Sequence, residues 1–153
     1  MLLSAARSFV FNAVLSERVK QNNWDQHLPG DVMNLAGTGS VFEAPEWDET
    51  LARRLDLKDI HPTGPLWGKG ALRSSAEAAA VEMAVATAQA DLCKGLETAG
   101  LEQERRSLRL IAADLNWNWL DDDSLELSFA LPPGTYATAV LRELCVLKEA
   151  KNE

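Results

Sequence analysis

Residues 115–144, "LNWNWLDDDSLELSFALPPGTYATAVLREL", contain two segments of alternating polarity followed by a segment with helical spacing. Apolar residues at every second position are typical of β-strands with one buried face. The predicted inward-facing residues are Leu115, Trp117, Trp119, Leu125, Leu127, Phe129 and Leu131. "DDDS" is the connecting turn, and "SLRLIAA" at 107–113 is predicted to be a preceding strand. The stretch therefore predicts an antiparallel β-meander, in which core packing is favoured over base stacking for the two tryptophans.

A C-terminal helix is predicted over about residues 135–148. The residues through which it packs are Val140, Leu141, Leu144 and Leu147. The stretch "LPPGTYATAVLREL" that leads into it can be interpreted in two ways. As a plain turn, it ends a strand, Thr135 caps the helix and Tyr136 packs on the first turn. As part of a site, it offers the unpaired amides of a helix N-terminus to a substrate.

The residues before position 107 have mainly helical spacing. A helix over 2–21 has apolar residues on two sides, which is typical of a helix buried between partners. A second helix is predicted from a capping box at Ser74 and Glu77 to Gly95 or Gly100. A hairpin over 28–44, a short helix over 47–57 and a glycine- and proline-rich loop over 61–70 are predicted between them. Together with the meander, these elements predict an α+β fold.

The composition limits the classes of function. The 153 residues contain 15 Lys and Arg against 23 Asp and Glu, giving a net charge of −8, which disfavours tight nucleic-acid binding by this chain alone. The apolar runs are shorter than the ~18 residues of a membrane span, so we expect no membrane association and a cytoplasmic protein. Cys93 and Cys145 are predicted to be buried thiols, and His27 and His61 stand alone, so we expect neither a metal nor a cofactor.

Two groups of basic residues are candidates for RNA binding. Lys69 and Arg73 flank a loop that carries Trp67, an arrangement suited to single-stranded RNA. Arg105, Arg106 and Arg109 form the densest basic cluster in the sequence. For both groups, a solvated surface is the alternative interpretation.

Five segments in this order carry a family resemblance: "LSAARSFVFNAVLSERV", "LPGDVMNLAGTGSVF", "HPTGPLWGKG", "GLEQERRSLRL" and "LPPGTYATAVLREL". Together, from about residue 2 to residue 147, they resemble the TruD family of tRNA pseudouridine-13 synthases. The resemblance implies isomerisation of a uridine in the tRNA D-arm, without cofactor or metal. It also implies two pieces: residues 2–115 resemble part of the family-specific TRUD insertion domain, and residues 116–153 resemble the C-terminal segment of the catalytic core.

The sequence departs from the family at the catalytic motif. Catalysis in the family rests on an aspartate in an Ala-Gly-x-Lys-Asp motif, and a nucleophilic carboxylate must be ionised and held by a cation. This sequence has no such motif, and its Lys58-Asp59 pair lacks both the Ala-Gly before it and the Thr-x-Gln after it. Asp31 follows Gly30 and is predicted to cap backbone amides in a turn. We therefore expect no catalytic residue in this chain.

The resemblance places the 131–144 junction in the part that returns to the catalytic core. On that basis Tyr136, Thr138 and Arg142 are predicted substrate-binding residues: Tyr136 would stack on or wall the base, and Arg142 would pair with an acid or phosphate. Three functions follow as hypotheses. The chain is a truncated C-terminal half of a tRNA pseudouridine synthase that is inactive alone, a non-catalytic tRNA-binding module, or a structural remnant that docks on a separately encoded N-terminal half.

Overall fold

A computed structural model describes residues 2–146 and divides them into two compact units, one through Arg109 and one from Leu110. The helices and strands of the first unit are α1 (Leu2–Lys20), β1 (Val32–Leu35), β2 (Val41–Glu43), α2 (Glu49–Asp56), β3 (Ile60–Leu66), α3 (Ala76–Ala88), α4 (Ala90–Thr98) and β4 (Glu104–Ser107). The second unit contains β5 (Ala113–Trp119), β6 (Leu125–Ala130) and α5 (Ala137–Leu144). The α+β prediction is confirmed. Within the described residues, no helix is long and apolar enough to cross a membrane.

The first unit is built on a four-stranded antiparallel sheet in the order β2-β1-β3-β4. The hairpin predicted over 28–44 is confirmed as β1 and β2, and the short helix predicted over 47–57 is confirmed as α2. α1, α3 and α4 pack around Val10, Val14 and Leu96 in one core cluster. A second cluster joins β1, β3 and α2 through Met33, Ile60 and Leu55.

The prediction of a loop over 61–70 is wrong, because residues 60–66 form β3, an internal strand of the sheet. Proline removes a donor from a sheet ladder and is normally confined to edge strands and bulges. Here β1 pairs with residues 60–62 and β4 with residues 63–66, so β3 has a half-length ladder on each side. Pro62 still uses its carbonyl, which accepts from the Leu108 amide at 2.8 Å. The prolines are thus tolerated because the strand changes partner partway along its length.

The strand predicted over 107–113 is also displaced. β4 covers residues 104–107, and its sequence "ERRS" has no apolar alternation from which a strand could be predicted. Pairing with β3 fixes its position, because Arg105 lies opposite Pro65 and Ser107 lies opposite Thr63. The predicted position was wrong because it rested on the apolar residues after the strand. Of these, Leu108 is buried just beyond the end of β4.

The helix predicted from residue 74 is divided into α3 and α4 at Gln89, whose backbone leaves the helical region (φ −117°, ψ 33°). The predicted capping box is wrong. Ser75 is the N-cap residue. Two amides at this helix start donate hydrogen bonds to the loop after α1: the Ser75 N–H to the Gly30 carbonyl and the Ala78 N–H to the Pro29 carbonyl, both at 3.0 Å. Gly30 has φ +87°, and a Cβ there would lie 1.9 Å from the Ser75 oxygen. Only glycine allows this contact.

α1 buries one side within its own unit. Val10, Phe11 and Val14 are buried, whereas Phe9 and Val19 are 53% and 52% exposed. The helix predicted over 2–21 is confirmed. The second predicted apolar side, which includes Phe11 and Val19, is only partly open to solvent, because Phe11 is buried. Its burial between partners stays a prediction.

Candidate functional site

The junction before α5 combines a sharp turn with an open helix start. Gly134 adopts φ +82°, and the Thr135 hydroxyl donates to the Pro132 carbonyl at 2.6 Å. The Thr135 hydroxyl therefore closes the turn. The prediction that Thr135 caps α5 is wrong. Tyr136 occupies the N-cap position in an extended conformation, with no side-chain cap among the described residues. The first amides of α5 are thus left without a capping side chain.

The three predicted substrate-binding residues lie along α5: Tyr136 at the N-cap, Thr138 in the first turn and Arg142 in the last turn. Tyr136 is 76% exposed and does not pack on the first turn, contrary to the plain-turn interpretation. Thr138 and Arg142 are exposed and four residues apart, so they share one side of α5. The junction presents a phenol, a hydroxyl and a guanidinium to solvent. Leu147, predicted to pack the helix, lies outside the described residues, and Cys145 is exposed instead of buried.

The β5–β6 hairpin presents an apolar face to solvent. Trp117 lies opposite Leu127 and Trp119 opposite Leu125, so these side chains share a face as predicted. Trp117 and Trp119 are nevertheless 68% and 62% exposed, and the core packing predicted for them is not observed. A two-stranded hairpin is marginally stable by itself, because neither strand has a second neighbour to cover its apolar side. We call this surface, formed by residues 115, 117, 119 and 125, the hairpin face.

The basic loop residues are exposed, but the aromatic residue between them is not. Lys69 and Arg73 lie on the surface, and Arg73 pairs with Glu43 at 3.1 Å. Trp67 is 7% exposed, and its indole N–H donates to Glu97 at 2.9 Å. The expected display of an aromatic ring beside two cations is therefore not observed, since Trp67 belongs to the core.

The three arginines of the predicted cluster have separate environments. Arg105 points inward and forms a bidentate ion pair with Glu82 at 2.7 and 2.9 Å, with both side chains 3% exposed. Arg106, one residue on, points outward with its guanidinium 5.4 Å from the Phe11 ring centre. Arg109 donates to the Leu55 and Ile60 carbonyls. Alternation along β4 separates Arg105 from Arg106, so the three residues do not form one basic surface.

Glu82 is the buried partner that the sequence analysis missed. It accepts from Ser74 at 2.6 Å, which is why Ser74 does not cap α3. A signal was present, because Ala78, Glu82, Val85 and Ala86 follow the i, i+4, i+7, i+8 spacing of a buried helix side. An acid at such a position requires a buried partner.

The comparisons with known proteins decide the family. A profile described as tRNA pseudouridine synthase D (TruD) matches residues 1–144, nearly the whole chain. The chain belongs to the TruD family.

Curated TruD proteins are closely similar to this chain but much longer. The tRNA pseudouridine synthase D of Xanthomonas oryzae pv. oryzae is 55% identical over 98% of this chain and 41% of its own length. That of Nitrosococcus oceani is 52% identical over 100% of this chain and 43% of its own length. The chain thus spans about two fifths of the length of these TruD relatives.

A solved structure gives the same fold. A crystal structure from Methanosarcina mazei, described as tRNA pseudouridine synthase D, matches with a TM-score of 0.62 and 24% identity. The match covers 90% of this chain and 36% of that chain. At this identity the likeness supports the fold alone.

Two aspartates considered as possible TruD nucleophiles have structural partners. Asp31 accepts from the Leu28 amide at 2.7 Å, as the turn prediction requires, and it also forms a buried pair with Arg18. Asp59 pairs on the surface with Arg54 at 2.5 Å. Both carboxylates therefore form ion pairs that stabilise the fold. In the described part of the chain, no group of three or more His, Cys, Asp or Glu could hold a metal ion.

Proposed function

We propose that this chain supplies the back portion of a tRNA pseudouridine synthase and is inactive until joined by a polypeptide that carries the attacking aspartate. The observation that carries the proposal is the TruD match over residues 1–144 in a sequence without the Ala-Gly-x-Lys-Asp motif. The substrate is a tRNA uridine, and the reaction takes place in the cytoplasm.

Exposed apolar side chains support the proposal that this chain docks on another polypeptide segment. The hairpin face carries two tryptophans that are more than 60% exposed, and Phe9 and Val19 expose the outer side of α1. Large exposed apolar patches on a folded chain mark interaction sites. The rest of a TruD polypeptide is the occupant that fits, whether it is continuous with this chain or separately encoded. This favours the docking hypothesis over an autonomous tRNA-binding module, as does the net charge of −8.

Tyr136, Thr138 and Arg142 are the substrate-binding residues of this proposal. Stacking of a base on the Tyr136 ring would contribute about 1–3 kcal/mol. A charge-assisted hydrogen bond from Arg142 would contribute about 1.5–3 kcal/mol. Of the predicted RNA-binding residues, Lys69 and Arg106 are the ones proposed for phosphate contact, because both are exposed and neither forms an ion pair within the described residues.

The test is reconstitution. The isomerisation moves the glycosidic bond from N1 to C5 of uracil and releases the C5 hydrogen, so tritium release from tRNA containing [5-³H]uridine measures turnover. The chain is assayed alone and together with the part of the Xanthomonas oryzae relative that it does not cover. We expect release only from the mixture. Release by this chain alone, or none from a mixture that forms a complex, contradicts the proposal.

Two substitutions then test the site in the active mixture. Arg142→Ala should lower kcat/KM by about 10-fold or more, whereas Arg53→Ala, which removes an equally exposed helix arginine from α2, should leave it unchanged. Tyr136→Leu should lower kcat/KM by about 5-fold or more through lost stacking. Equal kcat/KM in all three variants would exclude the α5 start from the substrate site.

A further inference from the structure

A cavity of about 600 Å³ opens beside α2 in the first unit. This volume lies within the range of small-molecule sites. The side chains of its lining that carry chemistry are Asp25, His27, Trp47, Asp56, Lys58 and Arg109. None of these residues except Arg109 was a candidate in the sequence, and none belongs to the α5 junction.

Two aromatic rings form part of the cavity wall. The His27 imidazole and the Trp47 indole stack with their centres 3.8 Å apart and their planes 7° from parallel. Burial lowers the pKa of His27, with a smaller opposing effect from Asp31, so the imidazole is neutral at pH 7. Its Nε2 is buried without a hydrogen-bond partner in residues 2–146. An unsatisfied polar atom of this kind costs about 1–3 kcal/mol unless a ligand or water meets it.

Arg109 is held rigidly at the same cavity. Its Nε donates to His61 Nδ1 at 3.0 Å, and its Nη2 donates to the Leu55 and Ile60 carbonyls at 3.1 and 2.6 Å. These three bonds use the Nε hydrogen and both Nη2 hydrogens, and they leave Nη1 without a partner in the described part of the chain. A fixed guanidinium loses little conformational entropy when it binds a ligand.

Carboxylates complete the lining and decide which ligand it suits. Asp25 and Asp56 are close enough to Arg109 to raise its pKa, against the larger lowering by burial. Lys58 also lines the cavity, so two acids face two cations, and the lining has no excess of positive charge to favour a multiply charged phosphate. These groups favour a ligand that presents an acceptor to Arg109 and N–H donors to a carboxylate.

Guanine has this combination of groups. Its O6 can accept from Nη1 of Arg109, and its N1–H and N2–H₂ are adjacent donors for a carboxylate. Adenine lacks the second donor group, and uracil has a single ring N–H. Unpaired RNA bases are recognised by hydrogen bonds to their edges together with stacking on aromatic side chains. We infer that the cavity formed by His27, Trp47, Asp25, Asp56 and Arg109 binds an unpaired guanine base, which in the proposed function would belong to the tRNA.

Binding is tested by titrating the full 153-residue chain with mononucleotides, and the NMR signal of the Trp47 indole N–H reports it. The signal is assigned by its loss in Trp47→Phe. GMP should shift it saturably, and AMP and UMP should bind at least about 5-fold more weakly, as expected for loss of a bidentate base contact. Inorganic phosphate should leave the signal unchanged. An equal response to all three nucleotides, a response to phosphate alone, or no response to GMP overturns the inference.

Matched variants locate the contact. Asp25→Asn and Asp56→Asn should each be compared with Asp91→Asn, which makes the same change at an exposed site on α4. We expect GMP affinity to fall about 10-fold in at least one cavity variant and to stay unchanged in the control; unchanged affinity in both cavity variants contradicts the inference. The inference rests on the proposed function only for the origin of the base. A mixture that forms pseudouridine while GMP does not bind refutes the cavity alone, whereas GMP binding without turnover in any mixture refutes the synthase proposal alone.

Discussion

Replacing Asp31 by asparagine should severely destabilise the first unit. Asp31 is fully buried beside Arg18, whose side chain is 3% exposed, and the pair forms two hydrogen bonds of 2.7 and 3.0 Å. The second carboxylate oxygen also accepts from the Leu28 amide. Asparagine keeps the volume but has one acceptor oxygen, so its amide nitrogen would face a donor and the Arg18 charge would stay buried. Breaking a buried ion pair from one side costs about 3–5 kcal/mol.

This cost is large against the total stability of a domain, about 5–15 kcal/mol. Urea unfolding followed by tryptophan fluorescence measures it, and a slope of about 1–3 kcal/mol per molar predicts a midpoint lower by at least ~1 M. Asp59→Asn is the matched control, because Asp59 is 49% exposed and its pair with Arg54 should be worth at most about 1 kcal/mol.

A double substitution separates the buried charge from the loss of packing. Arg18→Met combined with Asp31→Asn removes both charges, so it should cost less than the sum of the two single changes. If the free energies of unfolding of Asp31→Asn and Asp59→Asn differ by less than about 1 kcal/mol, the reasoning is refuted.

Three further predictions concern backbone contact, pH and the hairpin face. Gly68→Ala should lower stability by about 1–3 kcal/mol, because the added Cβ would lie 2.5 Å from the Glu102 carbonyl. Gly95→Ala in α4 should raise stability by about 0.5–1 kcal/mol, because the added Cβ meets nothing within 4 Å in the described residues. Thermal unfolding compares the two variants. Burial lowers the pKa of His27 and His61 below 6.5, so the unfolded chain binds more protons as pH falls from 7 to 5 and the urea midpoint should fall with it; an unchanged midpoint contradicts this. Trp117→Ser should reduce binding of an apolar dye while changing stability by no more than about 0.5 kcal/mol, because the ring is 68% exposed, and a large loss of stability would show that it is packed.

Elements with a strong period could be predicted from the sequence, and those fixed by tertiary pairing could not. The spacing of α1 and the alternation of β5 and β6 are local, so their positions followed directly. The prolines and glycines of residues 61–70 predict a loop, but β3 tolerates Pro62 and Pro65 because its partner strand changes halfway, a pairing that the local sequence does not show.

The candidate sites show the same limit at the level of side chains. Lys69 and Arg106 are exposed, which both RNA binding and a solvated surface require, so their predicted RNA binding stays a prediction. Arg105 was grouped with Arg106, although alternate strand positions point to opposite faces. The cavity could not be predicted, because His27, Trp47 and Arg109 are far apart in the sequence and line one cavity only in the folded chain.

One of the five segments that carry the family resemblance also explains why identity and activity are separate questions for this chain. In "HPTGPLWGKG", the Thr63 hydroxyl donates to the Val32 carbonyl, Trp67 donates to Glu97, and Gly68 leaves room for the Glu102 backbone. Each of these contacts holds β3 or the residues directly after it to another part of the first unit, so the segment specifies a fold rather than a reacting group. A close family match can therefore coexist with a sequence that lacks the Ala-Gly-x-Lys-Asp motif. For this reason reconstitution with the missing motif, and not further similarity, is the measurement that assigns the chemistry.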